Sequence, residues 1–396
     1  MPSGSDLLGR CGKPRIVLFS GGTAMRGINV ALCRRGVQIT RVVPAWDNGG
    51  SSRILRDCFD MLPVGDVRHA LMTMAYAEGR VGHVVKIFNA RLSNASAPAE
   101  LDEEIDFYVS GRHPLIAAME PGLRGAILNY LHVFRSRIGR DFDLRRGSIG
   151  NFILTGATFA HNSDINTAIF VFRKLCGIEG NVWPASTCND AHLMAELHNG
   201  KSVTGQDRIT ALAGEDAAAG IRHVRLGSMS GERGSDGPVA ANPAVIEAVL
   251  NADAIVFGPG SFYTSILPHL LVEGVAEAIS GRVEIPKILV CNMMECGETR
   301  GRSAGDLIAT FAAKGRPPGA VDAEAGLLTH VLANRRPLPF LRSDAGASYL
   351  DLGDAQRIAD ARGIRLVTDD FEDPWQRGLH DADAVASHLL QLASPG

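Results

Sequence analysis

Short apolar runs alternate along the chain with segments whose apolar residues recur every three or four positions, the pattern of an α/β protein. Arg15–Ser20 (RIVLFS) reads as a buried strand broken by Gly21, Gly22 and Thr23, and residues 24–35 carry a helical pattern closed by Gly36. Ile39–Val43 (ITRVV) predicts a second strand whose exit, Pro44–Ser52, reads as a loop. This order implies a parallel sheet with right-handed crossovers. From about 65 to 175 the pattern is helical, with SNASAPAELDE a polar connector inside it. Between 181 and 226, short β-type runs (NVWPAS, HLMAEL, RHVRL) surround a hairpin at His198–Lys201. Gly227–Gly237 has no packing pattern and reads as a mobile loop. Strands are then expected at Ala254–Gly258, Lys287–Cys291, His330–Ala333 and Ile364–Val367, with helices at Pro268–Ser280, near Gly305–Ala313 and at the C-terminus.

The expected fold class is α/β: a doubly wound, mostly parallel Rossmann-like sheet with a helical insertion at about 76–146 and a small β-rich segment. Residues 15–396 are expected to form one domain after a disordered 1–14. Composition narrows the function classes. The 396 residues carry 43 Asp+Glu against 40 Lys+Arg, a net charge of -3, which removes the electrostatic case for a nucleic-acid binder. No apolar run nears the ~18 residues of a membrane span, and the polar start MPSGSDLLGRCGK does not read as a signal peptide. Seven scattered cysteines without a C-x-x-C read as reduced thiols of a cytoplasmic protein.

Candidate chemistry falls where strands end, which is where open parallel sheets bind ligands. Gly21, Gly22 and Thr23 offer free N–H groups to an anion, although a tight strand-to-helix turn has the same composition. They form neither a Walker A loop nor a G-x-G-x-x-G fingerprint. Asp47 nevertheless stands where a dinucleotide fold places its ribose-binding acid, so an NAD-binding enzyme stays open. Asp47, Gly49, Gly50, Ser51, Ser52 and Arg56 suit phosphate oxygens, with Asp47 free to hold a hard cation. Asp66 and Asn151 lie at helix starts and read equally as caps or as ligand contacts. Gly258, Gly260, Ser261 and Thr264 form a second anion cradle, with Asn292 and Gly297–Thr299 after the next strand facing the same crevice. No nucleophile elbow and no H-E-x-x-H motif is present.

The ordered set SGGT, D-x-GGSS-x-x-LR, LP-x-GD-x-R, GN, GPGS-x-YTS, N-x-M and GET resembles the 2-phospho-L-lactate transferase (CofD) and YvcK superfamily. The D-x-GGSS loop and VTGQDRIT resemble the YvcK side, whose members are regulators that bind UDP-linked sugars. The transferases move a phospholactyl group from a guanosine-diphospho donor to a deazaflavin alcohol with magnesium. Arg53 stands where the YvcK pattern has glycine and Val64 where it has proline, and the chain is longer between Ala75 and Gly147, so it resembles a divergent CofD-related branch. One such branch accompanies ATP-grasp and HPr-kinase-like proteins.

The resemblance implies a nucleoside-diphosphate-linked ligand of GDP or UDP type. Phosphates would lie on Gly21, Gly22, Thr23 and Gly258–Ser261, with Ser51, Ser52 and Arg56 as further donors. Asp47 and Asp66 would hold Mg2+ and serve as the catalytic acids, while Asn151 and Asn292 orient base, ribose or metal. It also implies a homodimer, leaves a place for a regulatory protein partner, and leaves transferase and sensor as alternatives.

Overall fold

The computed structural model describes residues 13–77, 79, 82–139, 141–228, 237–314, 326–336 and 348–394. The expectations of disorder at 1–14 and of a mobile loop at 227–237 fall mostly on residues outside these ranges. Ten strands are described: β1 (Arg15–Phe19), β2 (Gln38–Val43), β3 (Asn181–Pro184), β4 (Ala191–Leu197), β5 (Ser202–Thr204), β6 (Ile221–Ser228), β7 (Ala254–Phe257), β8 (Lys287–Val290), β9 (His330–Asn334) and β10 (Arg365–Asp369). Seven form one sheet in the order β10-β9-β8-β7-β1-β2-β3, every neighbouring pair parallel. The other three form an antiparallel sheet, β5-β4-β6.

The sheet order follows from burial. All four residues of β7 and of β8 are buried, as are the last four of β1, so these strands occupy the sheet's interior and carry helices on their flanks. Chain progress runs outwards from β1 through β2 to β3, then returns to the far side of β1 at β7. The ends of β1 and β7 therefore flank a topological switch point, where the crevice of such folds opens.

Between β1 and β2 runs α1 (Arg26–Arg34); between β2 and β3 run α2 (Gly50–Phe59), α3 (Gly65–Ala77), α4 (Gly82–Asn89), α5 (Pro98–Val109), α6 (Pro114–Ala117), α7 (Pro121–Arg137), α8 (Ile149–Ala160) and α9 (Ile165–Leu175). Three sequence expectations need correction. Gly50, Ser51 and Ser52 are the first turn of α2, not loop, because Gly49 takes an extended conformation and lets the helix begin there. The connector SNASAPAELDE holds the start of α5, with Pro98 at its first turn and Glu100 accepting the Ala97 N–H at 3.0 Å. Pro268–Ser280 is not one helix: a π-turn over Phe262–Ile266 and a 3-10 turn over Leu267–Leu271 precede the helix Val275–Ser280, and Gly274 in a left-handed conformation starts that helix.

An aromatic cluster fixes the helices behind the crevice. Phe134 of α7 stacks on Phe152 of α8 with centroids 4.3 Å apart, and Phe59 of α2 meets Phe134 and Phe159 edge-on. Such pairs contribute about 1 kcal/mol each beyond the area they bury, and they hold the end of α2 against α7 and the end of α8.

Candidate functional site

The two acids named from the sequence come together. Asp47 follows β2, and Asp66 lies in the first turn of α3. A Cβ on Gly22 would stand 2.9 Å from Asp66 Oδ1, and one on Gly65 would stand 3.2 Å from Asp47 Oδ2 and 2.5 Å from Ser52 Oγ. Bare glycines at these two positions let Asp66 close on the loop after β1, and Asp47 and Ser52 close on the start of α3. The N–H of Gly49 donates to Asp47 Oδ1 at 3.2 Å.

The electrostatics of this pair are unfavourable without a cation. Burial, then the charge of Asp47, push Asp66 up to about 7, and Arg41 and Arg68 only partly counter them. Burial likewise raises Asp47 against its hydrogen bonds from Gly49 and Ser52. Arg41, fully buried on β2, donates from Nη2 to Ser20 Oγ at 2.9 Å and to Gly21 O at 2.7 Å. It places a cation beneath the Gly21–Gly22 turn.

Three helix starts converge on the same spot. Asn151 Nδ2 donates to Ser51 Oγ at 2.9 Å, joining α8 to α2. Arg68 of α3 donates from Nε to Asn151 Oδ1 at 2.8 Å, and Ser148 Oγ caps α8 by accepting the Asn151 N–H. Unpaired N–H groups and aligned peptide dipoles at such starts favour an anion. Arg56 lies behind this cluster: it donates from Nη1 to Asp47 O and from Nη2 to Asn189 O and Ala191 O, tying the loop after β2 to the small sheet. Thr23 is exposed at the crevice mouth.

Across the switch point, Gly258 has φ 76° and precedes a cis Pro259. Asn292 holds this loop from the end of β8 at both ends of its amide: Oδ1 accepts the Gly260 N–H at 2.9 Å and Nδ2 donates to Gly260 O at 2.8 Å. Ser261 is half-buried beside it. Thr264 turns inwards, its hydroxyl donating to Glu298 Oε1 at 2.6 Å while its carbonyl accepts the Trp46 indole N–H at 2.8 Å. A cavity of about 300 Å3 opens beyond β8 and β9, lined by Asn292, Met293, Arg335, Tyr349, Leu350 and Asp351 among others.

Sequence reasoning passed over Arg41, Arg68 and the role of Glu298. A charge inside the apolar run ITRVV was a visible signal for Arg41. Glu298, buried at 3% exposure, accepts the N–H groups of Tyr263 and Thr264 and the hydroxyls of Thr264 and Thr210, and so clamps the turn after β7 to the helix at Gln206–Thr210. Nothing in a single sequence marks a glutamate for that task.

Among the described residues no group of three or more His, Cys, Asp or Glu gathers at metal-binding distance. Two carboxylates beside phosphate donors still fit Mg2+, which takes one or two protein carboxylates and completes its shell with water and phosphate oxygens. Burial, which raises both Asp47 and Asp66, with the charge of Asp47 adding to it at Asp66, is the observation in favour of that fit, because a bound cation offsets the cost of both buried carboxylates. A family model described as 2-phospho-L-lactate transferase CofD matches residues 16–371. The chain belongs to the CofD family. Within it, the chain is similar to the gluconeogenesis factor of Listeria monocytogenes, 30% identical over 297 residues covering 75% of this chain and 72% of that one. The gluconeogenesis factor of Halalkalibacterium halodurans is 30% identical over 295 residues, covering 74% and 71%. A crystal structure of a UPF0052 family member from Bacillus halodurans has a TM-score of 0.66 at 26% identity, covering 96% of this chain and 99% of that one. The α/β fold and its CofD-type organisation are thus those the sequence implied. No helix among the described residues is long and apolar enough to cross a membrane.

Proposed function

We propose that this CofD-family protein binds a nucleoside-diphosphate-linked small molecule at the β1/β7 switch point and transfers its phospho-linked group to an alcohol. The observation that carries the reading is the juxtaposition of Asp47 and Asp66 with the glycine turn after β1 and three converging helix starts. Backbone N–H groups of Gly21–Thr23 and of Ser261, with the Ser51 hydroxyl, would bind the phosphates. In the second glycine loop the Gly258 and Gly260 N–H groups are spent on Phe19 O and Asn292 Oδ1 and Pro259 has none, and the Ser52 hydroxyl is spent on Asp47. Asp47 and Asp66 would hold Mg2+, which when bound supplies Lewis-acid neutralisation of charge on the phosphoryl oxygens. Arg41, by hydrogen-bonding Gly21 O, polarises the peptide whose N–H belongs to Gly22 and strengthens that donor. Asn292 fixes the second glycine loop, and the cavity beyond β8 and β9 would take the nucleoside.

A second reading, a nucleotide-sugar-binding regulator without turnover, is supported by the name gluconeogenesis factor carried by both relatives. Phosphorus NMR of the protein with GDP- and UDP-linked donors, Mg2+ and an alcohol acceptor separates the two. Formation of a new phosphodiester with release of nucleoside monophosphate, abolished in Asp47→Asn, supports transfer. Tight binding without turnover, with Asp47→Asn keeping most of its affinity, supports the regulator.

A further inference from the structure

A second groove lies away from the crevice, on one face of β1, β2 and β3. The pairing register sets Arg15 beside Gln38, Val17 beside Thr40, Thr40 beside Asn181 and Val42 beside Trp183, so these side chains share that face. Arg15, Gln38 and Asn181 are the first residues of their strands, whereas the diphosphate crevice opens at the opposite, carboxyl ends. The helix Pro243–Leu250 forms the other wall through Ala244, Glu247 and Ala248, which recur at spacings of three and four. Its two alanines leave a cavity of about 410 Å3 between helix and sheet, the size of a small-molecule site.

The fold does not require polar residues here. Strands inside a parallel sheet read as apolar runs, as β7 does, yet β2 and β3 turn Gln38, Thr40, Asn181 and Trp183 to the groove. Much of their hydrogen-bonding capacity is unused. Asn181 Nδ2 reaches Thr40 Oγ1 at 3.4 Å, a long bond. The Asn181 carbonyl oxygen, the Gln38 amide, the Glu247 carboxylate and the indole N–H of half-buried Trp183 have no partner among the described residues. Charge then selects the occupant. Arg15, the cation lining the groove, is spent on Asp253 through Nε at 3.3 Å and Nη2 at 3.1 Å, which leaves Glu247 as the unpaired charge. A phosphate or carboxylate would meet Glu247 without a free cation to offset it. A neutral molecule with several hydroxyls meets complementary groups on every side.

We propose that the groove between β1–β3 and the helix Pro243–Leu250 is a second ligand site, specific for a neutral monosaccharide or sugar alcohol. Hydroxyls of the ligand donate to Glu247 and to Asn181 Oδ1, its oxygens accept from the Gln38 amide and the Trp183 N–H, and its C–H face rests on the indole ring. The site is separate from the diphosphate crevice and is tested apart from it.

The test is calorimetric titration of the full chain with glucose, N-acetylglucosamine, fructose and mannitol, with glucuronate and glucose 6-phosphate as acidic controls. The expected result is a Kd of about 1 mM or tighter for at least one neutral compound, with both acids at least about tenfold weaker than the best of them. Glu247→Ala, at an exposed position, and Trp183→Leu should each weaken that binding about tenfold or more. Both variants should leave the response to GDP with Mg2+ as it is in the parent. Weaker affinity than this for every neutral compound, tighter binding of an acid, or binding that either variant leaves intact overturns the proposal. So does a dimer in sedimentation that both substitutions disrupt, because the face then belongs to a second copy of the chain. The diphosphate reading stands under any of these outcomes.

Discussion

A carboxylate that keeps its proton to about pH 7 makes stability fall as pH rises. Asp66 is raised in the folded protein, so between about pH 4 and pH 7 the unfolded chain ionises first and draws the equilibrium towards itself. Without ligand or metal, Asp66→Asn should be more stable than the parent at pH 8 by about 2 kcal/mol, after discounting for the carboxylate's partial exposure. The difference should close towards pH 4, as urea denaturation across this range would show; a pH-independent difference would sink the assignment. Asn292 gives a different residue-scale outcome. It spends both ends of its amide on Gly260, so Asn292→Ala should loosen the second cradle and cost about tenfold in nucleotide affinity, with a melting temperature near that of the parent. The acids and cradle glycines were readable because their residue types carry the chemistry. Arg56, Thr264 and Asn292 read as ligand contacts because their local sequence offers donors, yet partners far along the chain decide where those donors point.

At the scale of elements, the crevice depends on how α8 meets α7 and α2. A Cβ on Gly156 would lie 1.9 Å from Tyr130 O, so Gly156→Ala must force α8 away from α7 and disturb the Phe134–Phe152 stack. The expected loss is about 3 kcal/mol or more of unfolding free energy, read by urea titration. Nucleotide affinity should fall with it, because Asn151 near the start of α8 moves with that helix. An unchanged stability would show that the two helices adjust without cost. Strands were legible from sequence to within a residue or two: Arg15–Phe19, Ala254–Phe257 and Lys287–Val290 are apolar and β-branched and lie inside the sheet. Helix starts were less legible. DNGGSS has turn composition, and only its packing beside α3 and α8 makes Gly50–Ser52 helical. The run after β7 looked like one helix from its apolar content, but Pro268 and Gly274 divide it.

For the molecule as a whole, two histidines oppose Asp66. His269 packs edge-on to Phe19 and Trp46, and His380 bonds through Nε2 to Cys291 O. Burial holds both down to about 4. Their contribution is complete above pH 6.5 and is lost as pH falls towards 4, by as much as about 3 kcal/mol each. Acid should therefore destabilise the parent, more steeply still in Asp66→Asn, and His269→Gln should flatten the profile; a slope that His269→Gln leaves unchanged would contradict this. The mostly parallel, doubly wound sheet was legible because strands alternating with helices imply right-handed crossovers, whereas the order of its strands emerges only from the fold. The site's central claim is tested most directly by thermal denaturation with GDP and UDP, each with and without Mg2+. A melting-temperature rise that grows with Mg2+ and disappears in Asp47→Asn/Asp66→Asn is the expected result. No rise with either nucleotide at millimolar concentration would contradict the assignment of the β1/β7 crevice as a diphosphate site.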